Sequence, residues 1–128
     1  MTRITLDTNR YSDLQRGDRD VVEVLDAADE VVLTFVVIAE LRAGFVLGRR
    51  GVENERTLEQ FLSQTGVSVA FPDDQTTQHY ATIHRQLRQR GTPIPDNDLW
   101  IAALAVQHQL TLYTRDSHFD YVPQLRRI

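Results

Sequence analysis

Short apolar runs alternate along the chain with longer segments in which apolar residues recur at helical spacing. Strand-like runs occur at 3–6, 30–36, 67–71 and 110–114, and "LRRI" at the end could form a short edge strand. Helical spacing occurs at 18–29, 37–50, 52–66, 74–91 and 96–109, with a shorter helical or turn piece around 12–17. Strands that alternate with helices predict an α/β fold, in which right-handed crossovers join parallel strands and helices cover both faces.

Several of the predicted helices carry end signals in the sequence. Asp18 stands where it would cap the helix that begins after it, and Gly66 and Gly91 end the helices that precede them. Asp96 directly follows Pro95, so we expect it to cap the helix that starts there.

Acidic residues lie at or near the points where predicted strands end and the following helices begin. Asp7 follows the first strand, and Glu40 lies near the start of the helix after the second. Asp98 falls in the first turn of the helix after Pro95, and Asp116 follows the fourth strand. Because the carboxyl ends of parallel strands lie at one edge of the sheet, these four acids could converge on one small volume.

Convergence of four acids requires compensating charge. Two carboxylates about 4 Å apart repel by roughly 4 kcal/mol at an effective dielectric constant near 20. The chain has no cysteine and only four scattered histidines, so a hard divalent cation that prefers oxygen ligands, Mg²⁺ or Mn²⁺, is the expected compensator. Two such ions about 3.5–4 Å apart would suit in-line phosphodiester hydrolysis, in which one activates water and the other stabilises the leaving oxygen.

For single members of this set, a structural role such as forming a turn or capping a helix remains open. Asp116, within "TRDSHF", also fits a turn closed by its own side chain. Asp96 and Asp98 compete for the metal role, and we assign Asp98 to metal and Asp96 to capping.

Length and composition bound the protein without identifying it. With 128 residues, 41% of them hydrophobic, one domain spanning 1–128 is expected. No apolar run approaches the length of a membrane span, and the absence of cysteine fits a cytoplasmic protein. The net charge of −4 argues against broad nonspecific binding to nucleic acid. All fourteen basic residues are arginine, a bias that fits a GC-rich genome as well as bidentate phosphate recognition.

Four blocks of the sequence together resemble the PIN-domain family, and within it the VapC-type toxins of bacterial toxin–antitoxin pairs. The blocks are "ITLDTN", "VVIAELRAG", "IPDNDLWIAALA" and "LYTRDSHFDYVPQL", and they cover nearly the whole chain in order. The resemblance implies a three-layer α/β/α sandwich with a small parallel sheet, and a ribonuclease that depends on one or two Mg²⁺ or Mn²⁺ ions.

The resemblance also implies roles for particular residues. Asp7, Glu40, Asp98 and Asp116 match the acidic quartet, which binds metal and carries catalysis. Small polar side chains that match supporting positions are Thr8, Asn9 and Thr114. The chain departs mildly from the family where Arg10 and Tyr11 replace the aliphatic residues of many relatives.

Basic residues near the quartet are candidates for contact with the substrate. Arg10, Arg42 and Arg115 lie close in sequence to the proposed ligands and are expected to contact RNA phosphates. The four histidines do not form a site of their own, since His79 and His84 lack the spacing of a helical zinc pair, although His118 could contact substrate.

The implied partners are an RNA substrate and a cognate antitoxin protein that holds the toxin inactive. Relatives usually form homodimers, and two dimers often join through antitoxins into a hetero-oligomer. A non-catalytic PIN-like module that binds RNA or a partner is the alternative. A phosphoaspartyl phosphatase would require a second acid where Asn9 stands, a receiver domain requires a lysine, and nucleotide-binding loops require glycines that are missing here.

Overall fold

The protein has an α/β fold, as the alternating pattern predicts. The computed structural model describes residues 2–128. Its strands are β1 (Arg3–Leu6), β2 (Glu30–Thr34), β3 (Val67–Ala70), β4 (Thr111–Tyr113) and β5 (Arg126–Arg127). Its α-helices are α1 (Thr8–Gln15), α2 (Arg19–Ala27), α3 (Phe35–Leu47), α4 (Gly51–Leu62), α5 (Asp74–Arg90) and α6 (Asp96–Gln107). A 3₁₀ helix (Ser117–Tyr121) follows β4.

The five strands form one parallel sheet in the order β3-β2-β1-β4-β5. The central strand β1 pairs with β2 on one side, where Ile4 lies opposite Val31, and with β4 on the other, where Ile4 lies opposite Thr111. The chain therefore builds outward from β1 in one direction and then crosses to its other side. Such a reversal opens a crevice at the carboxyl ends of the strands, which is where ligands bind in open α/β sheets.

The core lies between the sheet and the helices that cover it. Strand residues Ile4, Leu6, Leu33 and Leu112 are completely buried. Helix α6 is buried along most of its length, at Leu99 and Ile101–Ala105, which fits the apolar pattern of its sequence. Within residues 2–128, no helix has both the length and the apolar character needed to cross a membrane.

Two helix boundaries differ by four residues from those predicted by periodicity, and α3, predicted over 37–50, spans Phe35–Leu47. Helix α1 begins at Thr8 rather than around residue 12, because the Asp7 side chain caps it by accepting a hydrogen bond from the Arg10 N–H. Helix α4 ends at Leu62, and Gly66 lies beyond it with a φ of 82° in the turn that enters β3. The polar run 63–65 thus belongs to the connection and not to the helix.

Two of the four predicted helix-end signals are correct and two are wrong, one of them Gly66, which lies beyond the end of α4. Asp18 caps α2 by accepting from the N–H groups of Asp20 and Val21, and Gly91 ends α5 with a φ of 69°. The prediction that Asp96 caps α6 is wrong, because Pro95 occupies the cap position and Asp96 is the first residue of the helix. The Asp96 carboxylate instead accepts from the Tyr80 hydroxyl, at 3.3 Å.

Candidate active site

Three of the four acids of the predicted quartet lie at the starts of elements at the carboxyl edge of the sheet, and Glu40 lies one turn into its helix. Asp7 directly follows β1, and Asp116 lies three residues after the end of β4. Asp98 is the third residue of α6, and Glu40 is the sixth residue of α3. The charges of Asp116 and Glu40 both act on Asp98, and that of Asp116 acts on Asp7, so the structure brings all four into one electrostatic group.

Asp7 is the most enclosed member of the quartet, with only 5% of its surface exposed. Its Oδ1 accepts from the backbone N–H of Arg10 at 2.9 Å, and its Oδ2 accepts from the Thr114 hydroxyl. The Thr114 hydroxyl oxygen also accepts from the N–H of Asp116, at 3.0 Å. Thr114 therefore joins the first and last acids of the quartet, and its supporting role in the site stays a prediction.

Glu40 is held by the two segments that carry the other acids. Its Oε1 accepts from the Thr8 hydroxyl at 2.8 Å, and its Oε2 accepts from the Asn97 amide at 3.4 Å. Thr8 follows Asp7 in the chain and Asn97 precedes Asp98, so these bonds align three parts of the site. Asn9 is exposed. Asn97 is not among the site residues predicted from the sequence, although its place beside Asp98 in "DND" could have indicated it.

Asp98 and Asp116 meet at the imidazole of His118. The Nδ1 atom of His118 lies 2.9 Å from Oδ2 of Asp98 and 3.2 Å from Oδ1 of Asp116. Asp116 also caps the 3₁₀ helix by accepting from the His118 N–H at 2.9 Å. This is the local turn bond expected from the sequence, and it forms while the His118 ring also contacts Asp98. His118 thus belongs to the site, a contact for which the only sequence signal was its nearness to Asp116.

Burial makes the ionised form of two of these acids costly. It raises the pKa of Asp7 above its ordinary value of 3.8, although hydrogen bonds from Thr114 and from the Arg10 N–H oppose the shift. Burial also raises the pKa of Asp98, helped by the negative charges of Asp116 and Glu40 and opposed by His118. Both carboxylates would therefore gain from a nearby positive charge.

The donor atoms of the site fit a divalent cation. Ligand atoms from Asp98, Asp116 and His118 lie within 4.8 Å of one another, close enough to hold one ion. The remaining donors around them, on Asp7 and Glu40, are carboxylate oxygens, the ligand type that Mg²⁺ and Mn²⁺ accept.

The three candidate phosphate-binding arginines have different surroundings. Arg10 and Arg115 both donate to Asp13, a buried residue that the sequence analysis did not identify. The Arg10 guanidinium also lies over the Tyr113 ring, 4.2 Å from its centre. Arg42 forms a bidentate ion pair with Glu55 that joins α3 to α4. That any of the three contacts phosphate stays a prediction.

Comparison with known proteins gives consistent matches over most of the chain. The PIN domain profile matches residues 4–125. "Toxin FitB" of Neisseria gonorrhoeae is 34% identical over 122 residues, which cover 89% of this chain and 88% of that protein. "Ribonuclease VapC1" of Haemophilus influenzae (strain R2866) is 33% identical over 88 residues, or 69% of this chain. The matched region spans 64% of the length of that relative.

Solved structures match the fold as a whole. The crystal structure of VapBC-5 from Mycobacterium tuberculosis, a member of the VapBC family of toxin–antitoxin systems, is 25% identical and superposes with a TM-score of 0.77. The match covers 100% of this chain and 98% of that one. With a profile that spans nearly the whole sequence and relatives above 30% identity, the chain belongs to the PIN-domain family and to its VapC-type members.

Proposed function

We propose that this protein is a metal-dependent endoribonuclease that acts as the toxin of a toxin–antitoxin pair. The observation that carries the proposal is the acidic quartet at the carboxyl edge of the sheet in a chain of VapC type. Four acids from four separate segments, two of them with raised pKa values, form an arrangement that is costly without a cation. The 1–128 segment acts as one nuclease domain.

Asp7, Glu40, Asp98 and Asp116 are the proposed ligands and catalytic residues of this site. A bound Mg²⁺ or Mn²⁺, as one ion or two, supplies Lewis-acid activation of water and neutralises charge on the phosphodiester. Thr114 and Thr8 hold Asp7 and Glu40 in fixed rotamers through their hydroxyls, so the carboxylates need little reorganisation when substrate arrives. Asn9, exposed beside them, would contact the substrate or a bound water.

Arg10 and Arg115 are the proposed phosphate contacts beside the quartet. Both guanidiniums are oriented by Asp13, and Arg115 lies close enough to Asp7 for their charges to interact. A positive side chain next to an acidic metal site offsets the repulsion that an RNA backbone would otherwise meet there. Arg42 is a weaker candidate, because its guanidinium already has Glu55 as partner.

The proposed partners follow from the relatives. VapBC-5 is a two-component toxin–antitoxin system and FitB is a toxin, so we propose that this chain is held inactive by a cognate antitoxin protein. We further propose that it forms a homodimer, joins its antitoxin in a hetero-oligomer and acts in the cytoplasm.

The test is cleavage of total bacterial RNA by purified, antitoxin-free protein, with new 5′ ends mapped by sequencing. Mn²⁺, Mg²⁺ and EDTA arms are compared for the wild type and for Asp7→Asn. We expect metal-dependent cuts that fall by at least about 100-fold in the variant, a typical loss when one preorganised charged group is removed. The asparagine retains an oxygen that can cap α1, so the variant should fold.

Asp26→Asn is the matched control, because Asp26 is exposed on α2. It should cut at the wild-type rate. A folded wild-type protein that leaves the whole RNA population intact at saturating Mn²⁺ would contradict the proposal and favour a non-catalytic module that binds RNA or a partner.

A further inference from the structure

The metal-binding edge of the site has one donor that differs chemically from the rest. Within residues 2–128, Asp98, Asp116 and His118 form the one group of three or more acids or histidines whose ligand atoms all lie within 4.8 Å. Two of these ligand atoms are carboxylate oxygens and the third is an imidazole nitrogen. Asp7 and Glu40 complete the quartet with oxygens alone.

The fold fixes the direction of the His118 ring. The 3₁₀ helix that carries it is capped by Asp116 and anchored in the core by Phe119, which is 1% exposed. With its backbone N–H bonded to Asp116, His118 turns its Nδ1 toward Asp98 on another helix, twenty residues away in the chain. The backbone at His118 is therefore held by its hydrogen bond and by core packing, and the ring is held by its contacts with Asp98 and Asp116.

A purely structural role explains this position less fully. A neutral imidazole donates one hydrogen bond through Nδ1 and needs only one acceptor. Here the same nitrogen lies within 3.2 Å of oxygens from two acids that belong to the proposed cation site. When a cation takes the place of the Nδ1 proton, this nitrogen stands where its lone pair can join the two carboxylates on a shared ion.

We propose that His118 is a direct metal ligand and that it makes the site selective for Mn²⁺ over Mg²⁺. The inference rests on the proposed function and names the cation preference of that site. Mg²⁺ favours oxygen ligands and retains its water, whereas the first-row transition metals, of which Mn²⁺ is the weakest binder, also accept nitrogen ligands. An all-carboxylate quartet would discriminate weakly between the two ions, and the added nitrogen shifts the balance toward Mn²⁺.

The test is pulsed electron paramagnetic resonance of Mn²⁺ bound to the untagged full-length protein, which detects nitrogen directly coordinated to the ion. Wild type is prepared with ¹⁴N-histidine and with ¹⁵N-histidine, so the isotope identifies the coupling as histidine. His118→Asn tests which histidine it is. His84→Asn is the matched control, because His84 is exposed on α5 and stacks on Tyr80.

A second readout is the affinity for each ion, measured by titration calorimetry. We expect a histidine coupling in wild type and in His84→Asn that disappears in His118→Asn. We also expect the Mn²⁺ affinity to fall by about tenfold or more in His118→Asn while that for Mg²⁺ changes much less, since losing even a supporting residue of a metal site costs 10–100-fold. His118 is exposed, so the variant should fold.

The outcomes separate this inference from the proposed function. Wild type that cuts RNA with Mn²⁺ but shows no histidine coupling overturns the role of His118 and leaves the nuclease intact. A histidine coupling lost in His118→Asn, in a protein that cuts no RNA, supports the ligand and contradicts the nuclease. Wild type that binds no Mn²⁺ overturns both.

Discussion

One buried carboxylate, that of Asp13, accepts hydrogen bonds from two of the arginines beside the candidate active site. Only 8% of its surface is exposed, and it accepts hydrogen bonds from Arg115 and Arg10 and, at 3.5 Å, from Arg16. Arg115 belongs to the segment between Thr114 and Asp116, so Asp13 ties α1 to the last acid of the quartet. Two of the three arginines are the proposed phosphate contacts, so their placement depends on this residue.

We predict that Asp13→Asn lowers the free energy of unfolding at pH 7 by about 2 kcal/mol, because hydrogen bonds to an ionised acceptor are lost. The hydrogen bonds from Arg115 hold the pKa of Asp13 below its ordinary value of 3.8. A lowered pKa stabilises the fold above the unfolded-state pKa, and this stability is lost as the pH falls through the folded value. Urea unfolding at pH 7 and below pH 3.8 measures the difference.

The difference in unfolding free energy between wild type and Asp13→Asn should therefore be largest at neutral pH and should disappear in strong acid. Asp26→Asn, at an exposed position of α2, should leave the unfolding free energy nearly unchanged at both values. If the difference in unfolding free energy persists unchanged at the lowest pH, the ion pairs of Asp13 are not its cause.

At the residue level, the sequence revealed acids but not their contacts. Asp7 and Asp116 could be identified because a position after a parallel strand fixes where a residue lies in space. Asp13 is not identifiable as a site residue from the sequence, and His118 is expected there only as a substrate contact, because their partners Arg115 and Asp98 are 102 and 20 positions away in the chain. Periodicity places a side chain on a face, but it does not give the direction in which a loop residue points.

At the level of elements, the turn between α3 and α4 depends on close backbone approach. A Cβ atom added at Gly51 would lie 2.4 Å from the backbone oxygen of Phe45, a distance that no real side chain tolerates. Gly44, inside α3, has open space around the equivalent position. The two glycines therefore have opposite structural requirements within one helical hairpin.

We predict that Gly51→Ala lowers the free energy of unfolding by roughly 1–3 kcal/mol, since the turn must open to remove the clash. Gly44→Ala should raise it by up to about 1 kcal/mol, because alanine favours the helix. Thermal unfolding followed by circular dichroism measures both. Equal melting temperatures for the two variants would contradict this account of the turn.

Element boundaries were predicted less well than the elements themselves. Periodicity predicts the start of α1 too late, because Asp7 is its cap as well as a candidate site residue and its two oxygens serve both purposes. An acid after a proline favours a cap at Asp96, but here Pro95 itself occupies the cap position. Local signals compete, and packing decides between them.

For the whole molecule, strand order could not be read from the sequence, although the site depends on it. The order β3-β2-β1-β4-β5 puts β1 between β2 and β4, so Asp7 lies at the reversal of the sheet with Asp116 beside it. Alternation of strands and helices predicted only that the strand ends share an edge. The pairing of β1 with β4, 105 or more residues apart, is what brings the first and last acids together.

The central claim is that the carboxyl edge of the sheet binds the cation on which the proposed ribonuclease activity depends. It is tested most directly by the anomalous diffraction of crystals grown with Mn²⁺, at a concentration that saturates RNA cleavage. We predict an anomalous peak bounded by the carboxylates of Asp98 and Asp116 and facing Asp7, and its absence in Asp98→Asn crystals. RNA cleavage by a protein whose crystals show no peak among the four acids of the quartet, Asp7, Glu40, Asp98 and Asp116, would contradict the account.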